Sequence, residues 1–120
     1  MNNKKILAAD DDPVILEVLT FMLEDAGYDV KTTVNGQTEQ IAQEFLPDLI
    51  LLDIWMAGSD GRTICKSLKS HRLTQRIPII IISANKDTNK IAKEIGADDF
   101  LAKPFEMEEL LNKVKNLTCK

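Results

Sequence analysis

Four acidic residues in this chain stand where they could act together: Asp10-Asp11-Asp12 directly follows the apolar stretch Ile6-Leu7-Ala8-Ala9, and Asp53 closes a second, Leu49-Ile50-Leu51-Leu52. Carboxylates brought within about 4 Å at an effective dielectric of ~20 repel by roughly 4 kcal/mol, a large fraction of a small domain's stability. Such a cluster must take up a proton or hold a cation. Oxygen-only donors favour a hard ion, and Mg2+ is held by few carboxylates, several waters and a substrate phosphate, so Mg2+ is the ion expected. Two residues of the opposite character close further apolar stretches: Ser83 after Ile79-Ile80-Ile81-Ile82, and Lys103 after Phe100-Leu101-Ala102. A hydroxyl and an ammonium beside three carboxylates and one divalent cation balance the charge before phosphate arrives, which suits a phosphoryl acceptor. Blander roles compete. Asp12 before Pro13 makes a good helix N-cap, and that is the reading adopted for it. Lys103 or Ser83 alone would be unremarkable; their value lies in falling on one rim with the acids.

The elements that would position these residues are legible in the apolar pattern. Five short apolar segments begin near Ile6, Tyr28, Leu49, Ile79 and Phe100, each followed by helical periodicity, which indicates a parallel sheet. The segments at Leu49 and Ile79 are unbroken, as strands covered on both faces are, whereas Tyr28-Asp29-Val30-Lys31-Thr32 alternates and should lie at an edge. That fits the strand order 2-1-3-4-5 with helices on both faces. The order reverses between strands 1 and 3, so the ligand crevice would be lined by Asp10, Asp11 and Asp53. Helical stripes run through Val14, Ile15, Val18, Leu19, Met22 and Ala26, and through Met107, Leu110, Leu111, Val114 and Leu117; both are expected to pack on the sheet. Weaker stripes run through Thr38, Ile41, Ala42 and Phe45, through Ile64, Cys65 and Leu68, and through Ile91, Ala92 and Ile95. Pro13 sits at a helix start, and Gly27 and Gly96 at helix ends.

Length and composition narrow the functional classes. The chain has 120 residues, 44% of them hydrophobic, and residues 1–120 read as one domain with one site. Nineteen acidic residues against fifteen basic ones give a net charge of -4, so direct binding of nucleic acid or of an anionic membrane is not expected. No apolar run approaches the roughly 20 residues that span a bilayer, and the start is not signal-like, so a cytoplasmic location is expected. Cys65 and Cys119 lack metal-ligand spacing and are read as reduced thiols, and His71 as a solvated side chain.

These residues resemble the receiver domains of two-component response regulators over essentially the whole chain. The similarity is carried by Ile6 to Pro13, by Pro47 to Gly61 around Asp53, by Pro78 to Ala84, and by Asp98-Asp99-Phe100-Leu101-Ala102-Lys103-Pro104-Phe105. The resemblance implies a flavodoxin-like (βα)5 three-layer sandwich. It also implies that Asp53 accepts a phosphoryl group from a phosphohistidine on a sensor histidine kinase or a histidine phosphotransfer protein. Mg2+ would be held by Asp11 directly, by Asp10 through water, by Asp53 and by the backbone carbonyl of Trp55. Ser83 would hydrogen-bond the phosphoryl group, Lys103 would pair with it, and Phe100 would be the aromatic whose rotamer follows the state of the site. Phosphate on Asp53 would draw Ser83 inward, Phe100 would fill the vacated space, and the face made by the fourth helix, fifth strand and fifth helix would change, supporting a homodimer formed on phosphorylation. Ala57 stands where the family usually has proline, and the bulky Trp55 is expected to shield the acyl phosphate from water.

Such a chain would be a phosphoacceptor with slow self-dephosphorylation rather than an enzyme with turnover. The alternative, a Mg2+-dependent phosphohydrolase working through an aspartyl phosphate, resembles the haloacid-dehalogenase-type enzymes, but their second aspartate is replaced here by Trp55. A flavodoxin-like cofactor binder would need a phosphate-cradling loop where this chain has three acids. A degenerate receiver used only for interaction would have no need of the full set Asp10, Asp11, Asp53, Ser83 and Lys103.

Overall fold

The computed structural model describes residues 3–34, 37–56, 59–84 and 88–118. Strand β1 (Lys5–Ala9) leads to helix α1 (Pro13–Asp25), then β2 (Asp29–Thr33), α2 (Thr38–Phe45) and β3 (Leu49–Asp53). A short antiparallel hairpin follows, β4 (Trp55–Met56) with β5 (Ser59–Asp60), before α3 (Gly61–Ser70). The chain ends with β6 (Ile79–Ser83), α4 (Thr88–Glu94), β7 (Asp99–Ala102) and α5 (Met107–Thr118). The main sheet has the order β2-β1-β3-β6-β7 with all pairings parallel. This is the expected 2-1-3-4-5 order, the hairpin being an addition that the apolar pattern did not signal.

Alternation along the strands divides the core in two. Leu7, Ile50, Leu52, Ile79 and Ile81 face α2, α3 and α4 through Ala42, Ile64, Leu68 and Ala92. Ile6, Ala8, Leu49, Leu51, Ile80 and Ile82 face α1 and α5 through Leu16, Leu19, Leu23, Leu110 and Val114. Helices thus cover both faces, and each fully buried Leu or Ile contributes about 1.5–3 kcal/mol. Cys65 lies in the first of these layers, where burial pushes its thiol up to about 11, so it is a packing residue and not a reactive one.

The local signals act as expected. Asp12 caps α1, its Oδ1 accepting the Val14 N–H at 2.9 Å, with Pro13 in the first turn. Gly27, just past α1, has φ of +98°, a conformation that side chains other than glycine's rarely adopt. The edge strand β2 is mostly exposed, as its alternation implied. No helix among the described residues is long and apolar enough to cross a membrane.

One expectation is corrected. The stripe Val14, Ile15, Val18, Leu19, Met22 and Ala26 does not pack on the sheet as a unit. The face of α1 that is buried is Leu16, Leu19 and Leu23, while Val14, Val18 and Phe21 are 63%, 39% and 75% exposed, and Ala26 is exposed too. Apolar residues encircle most of this helix, so periodicity leaves its phase ambiguous; the i, i+3, i+7 set joins the core layer, and of the stripe Ile15 and Met22 pack against that layer partly buried.

Candidate functional site

The site forms where β1, β3, β6 and β7 present their carboxyl ends. Asp10 follows the last residue of β1, Asp53 ends β3, Ser83 ends β6 and Lys103 follows β7. Register brings them together. Ala9 pairs with Leu52, Asp53 with Ile82, and Ser83 with Ala102, so four consecutive sheet positions end at one level. Lys103 is pinned beside Ser83 by its backbone N–H, which donates to the Ser83 carbonyl at 2.9 Å.

Carboxylate oxygens of Asp10, Asp11 and Asp53 all lie within 4.8 Å of one another. Asp10 and Asp53 are buried and Asp11 is exposed. The Lys103 ammonium is 2.9 Å from Asp10 Oδ2 and 3.6 Å from Asp53 Oδ2. The other Asp10 oxygen accepts the Asp12 N–H at 3.0 Å. Burial is the largest influence on Lys103 and opposes its charge. The hydrogen bond and charge of Asp10, with those of Asp53, outweigh it, so its pKa is held above the ordinary lysine value. One ammonium against three carboxylates leaves the cluster negative, and its donors are all oxygen. That set fits a hard divalent cation such as Mg2+ and not a soft, thiolate-preferring ion.

The candidate site residues that fall among the described residues can now be placed, whereas Cys119 lies outside them. Asp10, Asp11, Asp53 and Lys103 converge, and buried Ser83 shares their rim. Phe100 is the second residue of β7, half-buried and on the same sheet face as Ser83, because it pairs with Ile81 while Ser83 pairs with Ala102. Trp55 begins β4, its backbone two residues beyond Asp53; its side chain, and Ala57, lie outside the described residues. The Lys103–Pro104 peptide bond is cis.

Two features of the site were not foreseen. The shortest ion pair of Lys103 is with Asp10, not with Asp53. Gly61, the first residue of α3, lies against the end of β3, its N–H donating to the Ile54 carbonyl at 2.8 Å. A Cβ at Gly61 would stand 2.5 Å from the Asp53 carbonyl oxygen and 2.6 Å from the Ile54 Cα. A glycine directly after the helix-capping Asp60 was the one available hint. Gly61→Ala must therefore push α3 away from the Asp53 backbone. The expected loss is roughly 2 kcal/mol in urea denaturation. Unchanged stability would mean that the helix shifts without resistance.

A family model for the response regulator receiver domain matches residues 6–115. The chain belongs to that family. Receiver domains are generally the phosphoacceptors of two-component systems and interact with histidine kinases. Among curated relatives, the dual master transcriptional regulator RpaA of Synechocystis sp. is 40% identical over 116 residues, covering 94% of this chain and 48% of that protein. The alkaline phosphatase synthesis regulator PhoP of Bacillus subtilis is 39% identical over 116 residues, with the same coverages. This receiver domain spans about half the length of these curated relatives. A response regulator structure from Chloroflexus aurantiacus superimposes with a TM-score of 0.93 at 35% identity, covering 99% of this chain and 100% of that one. The receiver domain of the sensor histidine kinase PA1611 from Pseudomonas aeruginosa gives 0.91 at 29% identity and the same coverages, and was solved with a magnesium ion coordinated in its active site cleft.

Proposed function

We propose that residues 1–120 form one receiver domain whose Asp53 accepts a phosphoryl group from a phosphohistidine donor in a Mg2+-dependent reaction in the cytoplasm. The observation that carries this reading is the meeting of three carboxylates within 4.8 Å with an ammonium 3.6 Å from the Asp53 carboxylate. Asp10, Asp11, Asp53 and the backbone carbonyl of Trp55 would hold Mg2+. When bound, the ion supplies positive charge that draws a phosphate toward carboxylates otherwise repelling it.

The protein's own groups then have distinct tasks. An Asp53 oxygen attacks phosphorus as the bond from phosphorus to the donor imidazole nitrogen breaks, and that nitrogen keeps the electron pair. Lys103, already between Asp10 and Asp53, pairs with the charge on the transferred oxygens, and the Ser83 hydroxyl donates to one of them. Ser83 then sits closer to Asp53, and the Phe100 ring turns toward the space it leaves. This change biases the face of α4, β7 and α5, where a phosphorylation-dependent homodimer would form. The cycle ends in slow hydrolysis at the same site, so the domain is a switch and not a turnover enzyme. Any DNA-binding output, such as the relative RpaA is named for, would belong to another part of a longer protein.

The exposed face of α1 gives the donor a place to dock. Val14, Val18, Phe21, Met22 and Met107 line an apolar groove of about 430 Å³. Val18 and Met22 also line the adjoining groove, about 340 Å³, which ends at Lys103, Pro104 and Phe105. A partner seated there would have its reactive group beside the acids. Val18→Glu should therefore cut transfer from a cognate phosphohistidine protein by roughly 10- to 100-fold, the effect of a charge buried in an apolar contact. Labelling by acetyl phosphate should be untouched, and equal losses with both donors would place docking elsewhere.

Intact-mass measurement after incubation with acetyl phosphate and Mg2+ tests the central reading. One phosphoryl adduct is expected, absent when EDTA is present. An adduct that forms equally well in EDTA would overturn the Mg2+ dependence.

A further inference from the structure

Lys113 of α5 reaches around the open edge of the sheet. Its ammonium lies 5.0 Å from the centroid of the Phe100 ring and 3.1 Å from Asp99 Oδ1, both on the terminal strand β7. The same Asp99 oxygen accepts the Phe100 backbone N–H at 2.8 Å. Leu110 and Val114 pack α5 on one face of the sheet, whereas the Phe100 ring belongs to the other, so Lys113 bridges the two layers. Its side chain is only 22% exposed, which strengthens the attraction between cation and ring face relative to a fully solvated pair. Asp99 tethers the ammonium in place, so the contact with the ring needs little further ordering.

We propose that Lys113 is a positioning residue that holds the Phe100 ring at the open edge of the sheet and thereby sets how readily Asp53 is loaded. The proposal rests on the reading that the ring turns toward Ser83 when Asp53 carries a phosphoryl group. A ring that turns away leaves its cation, so the contact stabilises the unloaded arrangement alone. By linkage, whatever stabilises that arrangement weakens loading by the same factor. Glutamine at 113 keeps the length of the side chain but not the cation; arginine keeps the cation and adds a planar face for the ring.

Beryllium fluoride with Mg2+ serves as the probe of loading, titrated into wild type, Lys113→Gln and Lys113→Arg, with ring positions read from the carbon-13 signals of labelled phenylalanine. Phe100→Leu assigns the Phe100 signals among the four phenylalanines and supplies a second background. Lys113→Gln should bind about three- to five-fold tighter, the population change equivalent to one partly exposed cation–π contact. Its Phe100 signals in Mg2+ alone should already have moved toward their loaded positions. Lys113→Arg should behave as wild type, and in the Phe100→Leu background the glutamine change should have no effect. Direct electrostatics predicts the opposite sign, since removing a positive charge loosens an anion. Unchanged or weaker binding by Lys113→Gln, or tightening that persists without the ring, overturns the proposal while leaving the site itself intact. A wild type whose beryllium fluoride binding survives Asp53→Asn overturns the reading of the site, and this proposal with it.

Discussion

Asp53→Asn is expected to show no phosphoryl adduct at all with acetyl phosphate and Mg2+, yet to melt several degrees above wild type when metal is removed. The first result follows from the proposed role of Asp53 as the phosphoryl acceptor, since asparagine removes its carboxylate while leaving Asp10 and Lys103 in place. The second follows from charge. Asp53 is buried, within 4.8 Å of two other carboxylates and 3.6 Å from one ammonium, and asparagine removes its repulsion with those carboxylates. A single carboxylate pair at this spacing repels by about 3 kcal/mol at a dielectric of ~20, and the attraction of Lys103, which is also lost, with relaxation of exposed Asp11 reduces the measurable gain to about 1–2 kcal/mol. Saturating Mg2+ should narrow or reverse the order, because the intact cluster binds the ion better and gains stability by mass action. Intact mass and thermal melts with and without EDTA provide the readouts. A full adduct on the asparagine variant would move the nucleophile elsewhere, and a lower melting temperature without metal would show that Asp53 is not strained by its neighbours.

Lys103→Met should combine a kinetic defect with a folding defect. In catalysis, a positioned donor aimed at developing charge is worth about 10²- to 10³-fold, so phosphorylation by acetyl phosphate should slow by about that factor. In folding, Asp10 is 1% exposed and loses its shortest ion pair, the 2.9 Å contact with Lys103. Removing one partner of a buried pair costs more than the pair contributes, and with Lys103 itself 21% exposed the loss should be about 2 kcal/mol. Mg2+ should restore most of the stability but not the rate. The dependence on pH carries the same signature. The ammonium's pKa is raised in the folded protein, so its stabilisation is fully present below the ordinary lysine value and is lost as pH climbs through the raised one. Wild type should therefore lose stability in that alkaline window more steeply than Lys103→Met does. A variant that phosphorylates at the wild-type rate would remove Lys103 from the reaction.

Much of this site was readable from residue types in order. Unbroken apolar runs at Leu49–Leu52 and Ile79–Ile82 mark central strands because only a strand covered on both faces can dispense with polar residues. The alternation from Tyr28 to Thr32 marks an edge for the converse reason. With that order set, the acids after β1 and at the end of β3 had to become neighbours, and Asp10, Asp11 and Asp53 did. Asp12 and Pro13 announced α1 through local hydrogen bonding alone.

Sequence by itself therefore determined the five strands of the main sheet with their helices, the strand order and the rim on which the acids would lie, though not the β4–β5 hairpin, since strand period, capping and apolar runs are properties of neighbouring residues. Tertiary structure alone decided which face of α1 was spare, which acid Lys103 would hold most closely, and that Gly61 must leave room for the Asp53 backbone. It also placed Lys113 over Phe100. Each of these depends on how two elements distant in the chain approach each other to within a few ångströms, and close packing settles that approach only when all the layers are present.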